Sequence, residues 1–176
     1  AYIAKWNGTV WSALGTGMSS TVYALAIDGS GNVYAGGAFT TAGGVTANRI
    51  AKWNGTVWSA LGTGMNDIVW ALTIDSSGNV YAGGYFATAA GVANTVYIAK
   101  WNGTAWSALG TGTNTTVYAL AIDGSGNIYA GGQFTTAGGV AANRIARWNG
   151  SSWVSLGTET VLTQGMDNIV RTLVID

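Results

Sequence analysis

Asp28, Asp75, Asp123 and Asp176 recur at one point of a repeating phrase and are the most regular acidic groups in the chain. Two carboxylates at one site could share general acid–base work, but repeat spacing sends each of these to a different structural unit. The remaining acids are Asp67, Asp167 and Glu159. There is no His and no Cys. Without His, the one side chain whose ordinary pKa lies near neutrality is missing, and no Ser–His or Cys–His pair exists. Without Cys there is no disulfide and no thiolate metal site. A calcium loop normally offers several carboxylates, and each repeat offers one. Read this way, the sequence points to a protein that is not an enzyme and that holds no metal and no cofactor.

Each aspartate must be positioned by the elements around it. Asp28 opens the stretch 28–37, Asp-Gly-Ser-Gly-Asn-Val-Tyr-Ala-Gly-Gly, whose copies lie at 75–84 and 123–132. The stretch reads as a tight hairpin running into a strand that ends in a glycine pair. Asp28, Asp75 and Asp123 are expected to accept backbone N–H groups within their own turns. The pairs Gly36-Gly37, Gly83-Gly84 and Gly131-Gly132 suggest close approach by a bulky neighbour, for which a Trp ring is the candidate.

The surrounding unit repeats along the whole chain. Ala-Lys-Trp-Asn-Gly begins at Ala4, Ala51 and Ala99, and Ala-Arg-Trp-Asn-Gly at Ala146, at spacings of 47, 48 and 47 residues. Short strands at this period are the signature of propeller blades. One unit reads as four strands, a to d, at 22–27, 33–39, 49–53 and 57–61. Strand a is apolar at nearly every position, with Val22, Ala24 and Ala26 on one face and Tyr23, Leu25 and Ile27 on the other, as suits a strand buried on both sides. The predicted fold is all-β: a β-propeller of four-stranded antiparallel blades of about 47 residues.

Taken in order, 1–18 supply outer strands c and d, 19–66, 67–113 and 114–166 are blades, and 167–176 supply one more inner strand a. That makes four a, three b, four c and four d strands, so a fourth blade would lack strand b. The chain is read as a single propeller domain with one incomplete blade, or as part of a larger propeller. It also opens inside a strand-like phrase, which suits a piece of a longer array.

Asn7-Gly8 between apolar runs is a strong hairpin signal. With a two-residue loop, Trp6 pairs with Thr9 and Ala4 with Trp11, leaving Trp6 and Trp11 as diagonal neighbours. The same spacing gives Trp53/Trp58, Trp101/Trp106 and Trp148/Trp153. These eight rings either pack blade against blade, the favoured reading since Trp is mostly buried, or form an aromatic platform for sugars. Other candidates for ligand contact are Arg49, Tyr97 and Arg144, which open successive c strands, and Trp70, which stands where Tyr23 does. The extra residues 159–164 offer a longer loop for specificity. Asn7, Asn54, Asn102, Asn114 and Asn149 sit in Asn-X-Ser/Thr patterns, although turn chemistry already explains every Asn-Gly.

Charged residues are 8% of the chain, and seven basic balance seven acidic, against a usual share of about 25%. A neutral surface argues against nucleic acid and anionic membrane as partners. No apolar run approaches the roughly 20 residues of a membrane span.

The Gly-Gly pair, then Trp53 and Trp58, and again Gly83-Gly84, Trp101 and Trp106, resemble kelch-type β-propeller repeats. Ile-Asp-Gly-Ser-Gly-Asn-Val-Tyr looks like the a–b hairpin of bacterial SBBP and NHL-type repeats. The resemblance spans nearly the whole chain and implies the propeller fold. Where kelch strand c often carries Tyr-Asp-Pro, this chain has Trp-Asn-Gly. Kelch-like propellers include copper oxidases, whose His and Cys ligands have no counterpart here. The expected role is a non-catalytic structural or interaction propeller of a secreted or surface bacterial protein. Its expected partner is another copy or another protein, with a glycan-binding lectin as the alternative.

Overall fold

The computed structural model describes residues 2–156, 166 and 168–175. Among them there is no helix, and every regular element is an antiparallel strand. β1 (Ala4–Trp6) and β2 (Trp11–Ala13) form a lone hairpin. β3 (Val22–Ile27) and β4 (Val33–Gly37) follow, then the small ribbon β5 (Thr41–Ala42) and β6 (Val45–Thr46), then β7 (Ile50–Trp53) and β8 (Trp58–Ala60). The next unit has β9 (Val69–Ile74), β10 (Val80–Gly84), β11 (Ile98–Trp101) and β12 (Trp106–Ala108). The third has β13 (Val117–Ile122), β14 (Ile128–Gly132), the ribbon β15 (Thr136–Ala137) and β16 (Val140–Ala141), then β17 (Ile145–Trp148) and β18 (Trp153–Ser155).

Three four-stranded sheets result, β3-β4-β7-β8, β9-β10-β11-β12 and β13-β14-β17-β18. They are propeller blades, with β3, β9 and β13 side by side as inner strands. The core lies between blades. Tyr34 and Ile50 of the first blade pack with Val69, Val80 and Trp106 of the second. Tyr81 and Ile98 of the second pack with Val117, Ile128 and Trp153 of the third. No blade buries its apolar faces alone, which is why repetition is needed for stability.

The Asp turn is built as the sequence suggests. Asp28 accepts from the backbone N–H of Ser30 (3.0 Å) and Asn32 (2.9 Å), and its second oxygen from Asn32 Nδ2 (2.7 Å) and Tyr34 Oη (3.3 Å). Asp75 and Asp123 repeat the network.

The Asn-Gly hairpins take a different register. Trp6 lies directly opposite Trp11 and Ala4 opposite Ala13. Asn7 N–H donates to the Val10 carbonyl at 3.3 Å, which puts Gly8 and Thr9 at the tip, and Asn7 Oδ1 accepts from the N–H groups of both Thr9 (2.9 Å) and Val10 (2.8 Å). The asparagine side chain closes an Asx turn. Asn54, Asn102 and Asn149 do the same.

The glycine pairs do not face Trp. A Cβ on Gly36 would lie 2.6 Å from Val69 Cγ1 and 3.3 Å from Leu72 Cδ1 of the next blade's inner strand, and one on Gly37 would strike the Thr21 carbonyl. Gly83 meets Val117 and Leu120, and Gly131 meets Val170 and Leu173. The glycines that do abut Trp rings lie elsewhere: Gly43 and Gly138 press on Trp58 and Trp153, and Gly15, Gly62 and Gly110 lie against the Trp53/Trp58, Trp101/Trp106 and Trp148/Trp153 pairs.

Strict alternation in strand a also fails. Val69 pairs with Gly84 and Ala71 with Gly83, so Trp70 is an unpaired bulge residue. Tyr23 and Tyr118 are bulged in the same way. The bulge returns Val69 and Leu72, three residues apart, to one face. Finally, 168–175 carry no strand where an inner strand a was expected. Val170 N–H donates to the Gly132 carbonyl at 3.1 Å, but no described strand b lies beside the segment to complete a ladder.

Candidate functional site

Two features of this frame could meet a partner. The first is a row of aromatic side chains across the inner strands. The bulge turns Tyr23, Trp70 and Tyr118 out of the ladder at equivalent positions of three successive blades. Their rings stand in sequence, Tyr23 to Trp70 at 4.2 Å and Trp70 to Tyr118 at 6.0 Å between centroids. Arg171 closes the row, its guanidinium carbon 5.6 Å from the Tyr118 centroid. Bulges commonly re-aim a side chain next to a functional site. At the same end of the second blade, Tyr97 lies 6.0 Å from Tyr85, since strand b ends and strand c begins where strand a starts. The sequence reading picked out Trp70 and Tyr97 and missed Tyr23, Tyr118, Arg171 and Tyr85. Aligning the repeats column by column would have found the first three, and Tyr85 stands where Ala38 and Gln133 do.

The second feature is the open first sheet. Among the described residues, β1 and β2 have no strand on the inner side, and the face of β3 equivalent to the covered faces of β9 and β13 is bare. Leu25 is 54% and Ile27 66% exposed, while the equivalent Leu72, Ile74, Leu120 and Ile122 are half-buried. Between β1 and β3 lies a cleft of about 700 Å³, lined by Ile3, Lys5 and Trp6 on one side and Leu25, Ile27 and Val33 on the other.

The tryptophan pairs divide accordingly. Ring centroids lie 5.5, 5.4, 5.4 and 5.6 Å apart in the four copies. Trp58, Trp106 and Trp153 are each only 5% exposed. Each donates its indole N–H to the preceding unit, at the carbonyls of Leu14 (2.8 Å), Leu61 (2.9 Å) and Leu109 (2.8 Å). Trp53, Trp101 and Trp148 are half-buried, whereas Trp6 is 48% and Trp11 69% exposed at the open end. The pairs therefore do not make equivalent sugar pockets in every blade.

Arg49 and Arg144 hold the b–c loops. Arg49 Nη1 donates to the carbonyls of Ala38 and Phe39, and Arg144 Nη1 to those of Gln133 and Phe134. Arg49, Tyr97 and Arg144 share a left-handed backbone, with φ of 65°, 61° and 68°. The Asp turns are likewise occupied internally. At Asp28 and Asp75 burial works to raise the carboxyl, but hydrogen bonds from the following Asn, Ser and Tyr outweigh it and hold both below the ordinary value. At Asp123 the Asn127 side chain leads in the same downward direction, against a smaller opposing effect of burial. The expected insert 159–164 lies outside the described residues, as do Asp167 and Asp176.

No protein-family model matches the chain, and no curated protein matches it. Solved structures do. The extracellular domain of BT4673 from B. thetaiotaomicron, described in one structure as a one-component system, superposes with a TM-score of 0.53 at 15% identity, over 89% of this chain and 19% of that one. A second structure of it, described as a hybrid two-component system, gives 0.52 at 14%, over 87% and 18%. This chain thus spans about a fifth of those proteins. Catalytically inactive virginiamycin B lyase from Staphylococcus aureus, solved with quinupristin, gives 0.48 at 18% identity, over 82% of this chain and 44% of that one. These likenesses bear on fold alone. The expectation that the chain is not an enzyme is withdrawn: a lyase is among the proteins it resembles, and at 18% identity that likeness assigns no activity in either direction. No reaction follows for this chain.

Proposed function

We propose that the chain is an interaction module of a bacterial protein working outside the cell, and that its open first sheet is the binding surface. One observation carries this reading: the apolar face of β3 is bare where every later blade is covered. Apolar surface of that kind, rimmed by polar turns, is the usual mark of a protein contact. The balance of charge, seven basic against seven acidic residues, favours a protein partner over a polyanion. The extracellular neighbours support the location, and the Gly-Gly and Trp spacing supports a kelch-like or SBBP-like repeat. Size exclusion with light scattering tests it. The 17.9 kDa chain is expected to run above its own mass as concentration rises, and Leu25→Asp/Ile27→Asp to run as a monomer. A wild-type monomer at every concentration overturns self-association through this face.

A second reading, glycan binding, is favoured by the Tyr23–Trp70–Tyr118 row. Aromatic rings in a row, tilted 38° and 57° to one another, offer contacts to the apolar faces of sugar rings. Titrating neutral oligosaccharides while following tryptophan emission is expected to give a saturable change, absent in Trp70→Ala. No change in the wild type removes this reading.

A further inference from the structure

We infer that the cleft beside β1 is a vacant strand site, and that its occupant is a β-strand of the Val/Ile-Tyr-Ala-Gly-Gly pattern supplied by a further repeat unit. The inference rests on the open sheet being the binding surface and narrows what binds there.

The argument is one of continuity with the two blade interfaces already closed. β4 pairs with β7 in the register Val33↔Trp53, Tyr34↔Lys52, Ala35↔Ala51 and Gly36↔Ile50. β10 pairs with β11, and β14 with β17, in the same way. β1 is the equivalent of β7, with Trp6, Lys5 and Ala4 at the matching positions and Ile3 next. Among the described residues its inner edge is unpaired. A strand laid there in the conserved register sets Tyr opposite Lys5, Ala opposite Ala4 and the first Gly opposite Ile3.

Three independent details then fall into place. The first Gly arrives against Val22 and Leu25, as Gly36 does against Val69 and Leu72 and Gly83 against Val117 and Leu120. Only glycine fits, because the existing glycines already leave no room for a Cβ. The Tyr ring arrives beneath Lys5, as Tyr34 lies 5.3 Å from Lys52 Nζ and Tyr81 5.5 Å from Lys100 Nζ. That ring also covers Leu25, Ile27 and Val33, which line the cleft, just as Tyr34 joins the cluster containing Val80, Leu72 and Ile74. Main-chain pairing supplies affinity, and the glycine and tyrosine positions supply selectivity, as in other strand additions.

A second copy of the chain does not hold this strand to spare. β4, β10 and β14 are each paired on both edges within their own blades. Copies that associate through their open faces leave both sheets unfinished, and an added strand should displace that contact.

The test uses the full chain and a synthetic peptide with the sequence of residues 27–38, Ile-Asp-Gly-Ser-Gly-Asn-Val-Tyr-Ala-Gly-Gly-Ala. Amide hydrogen exchange at β1 is the readout, because only strand pairing protects that edge. Saturable protection of Ala4 and Trp6, whose N–H groups alternate with that of Lys5 and face the open edge, with light scattering at one chain plus one peptide, is the expected result. The peptide carrying Gly36→Val should bind at least about tenfold more weakly, from overpacking against Val22 and Leu25. The chain carrying Leu25→Asp should lose the peptide while its second and third blades keep their protection. Tethering the peptide ahead of residue 1 by a flexible linker raises its effective concentration and removes weak affinity as an excuse. No protection of β1 even when tethered overturns the inference, and so does equal binding of the Val peptide. Self-association without peptide binding refutes the strand while sparing the interaction reading. Peptide binding without self-association supports the strand site and overturns only self-association through this face.

Discussion

Gly83 of the second blade lies so close to Val117 of the third that a Cβ there would sit 2.6 Å from Val117 Cγ1. The contact is the point at which one blade fixes the distance to the next. Gly83→Ala is therefore expected to destabilise by about 1–3 kcal/mol, the usual cost of forcing a methyl into a packed interface. Val117→Ala removes the group it strikes. The double variant should regain part of the loss, with a favourable coupling in a denaturation cycle. Additive losses would show that the glycine serves the backbone of β10 alone.

Trp106 and Trp11 occupy the same place in their repeats but not the same environment. Trp106 Nε1 donates to the Leu61 carbonyl at 2.9 Å in a buried contact. Trp106→Phe keeps most of the ring and strands that carbonyl, at a cost of about 1–3 kcal/mol. Trp11 is largely exposed, so Trp11→Phe should change stability by less than about 0.5 kcal/mol. Urea midpoints of the two variants measure the difference.

Ala90 holds φ at 51° where its equivalents are Gly43 at 59° and Gly138 at 58°. Its N–H donates to the Gly64 carbonyl as theirs do to Gly17 and Gly112, so the left-handed conformation is imposed by the turn. That conformation costs an L-residue roughly 1–2 kcal/mol, and glycine returns part of the gain as chain entropy. Ala90→Gly should stabilise by about 0.5–1 kcal/mol, read as a higher melting temperature. A lower one would mean that the Ala90 methyl packs productively.

The repeat period carried the architecture into view, because each blade repeats strand lengths and turn residues that obey local rules. Asp28, the Asn-Gly turns and the blade order were readable for that reason. What the sequence concealed depends on contacts between units. Gly36 gives no sign that it faces Val69 and not a Trp ring. Tyr23, Trp70 and Tyr118 read as ordinary alternation until a bulge sets them apart. Asn7 carries a turn signal, yet its side-chain oxygen takes two N–H groups and the tip falls at Gly8-Thr9, one residue on from Asn7-Gly8. Arg49 reads as a candidate for ligand contact, and nothing in the sequence tells that its Nη1 is held by backbone carbonyls of its own loop.

Asp75 and Tyr81 give the fold a pH dependence on both flanks. Tyr81 Oη donates to Asp75 Oδ2 at 3.1 Å, and Asn79 and Ser77 complete the carboxylate's partners. Burial pushes the Asp75 carboxyl up, but these hydrogen bonds prevail and its pKa falls below the ordinary 3.8. A carboxyl lowered on folding contributes stability that is fully present above 3.8 and is lost as pH falls through the folded value. Burial, then the charge and hydrogen bond of Asp75, push the Tyr81 phenol above its ordinary 10.0. A phenol raised on folding contributes stability that is present below 10.0 and is lost as pH climbs toward the folded value. Melting temperature should therefore be flat near neutrality, fall in strong acid and fall again in strong base. Asp75→Asn should flatten part of the acid limb, and Tyr81→Phe part of the alkaline limb. An alkaline limb unchanged in Tyr81→Phe would place that transition elsewhere in the chain and sever the link between this turn and the blade interface.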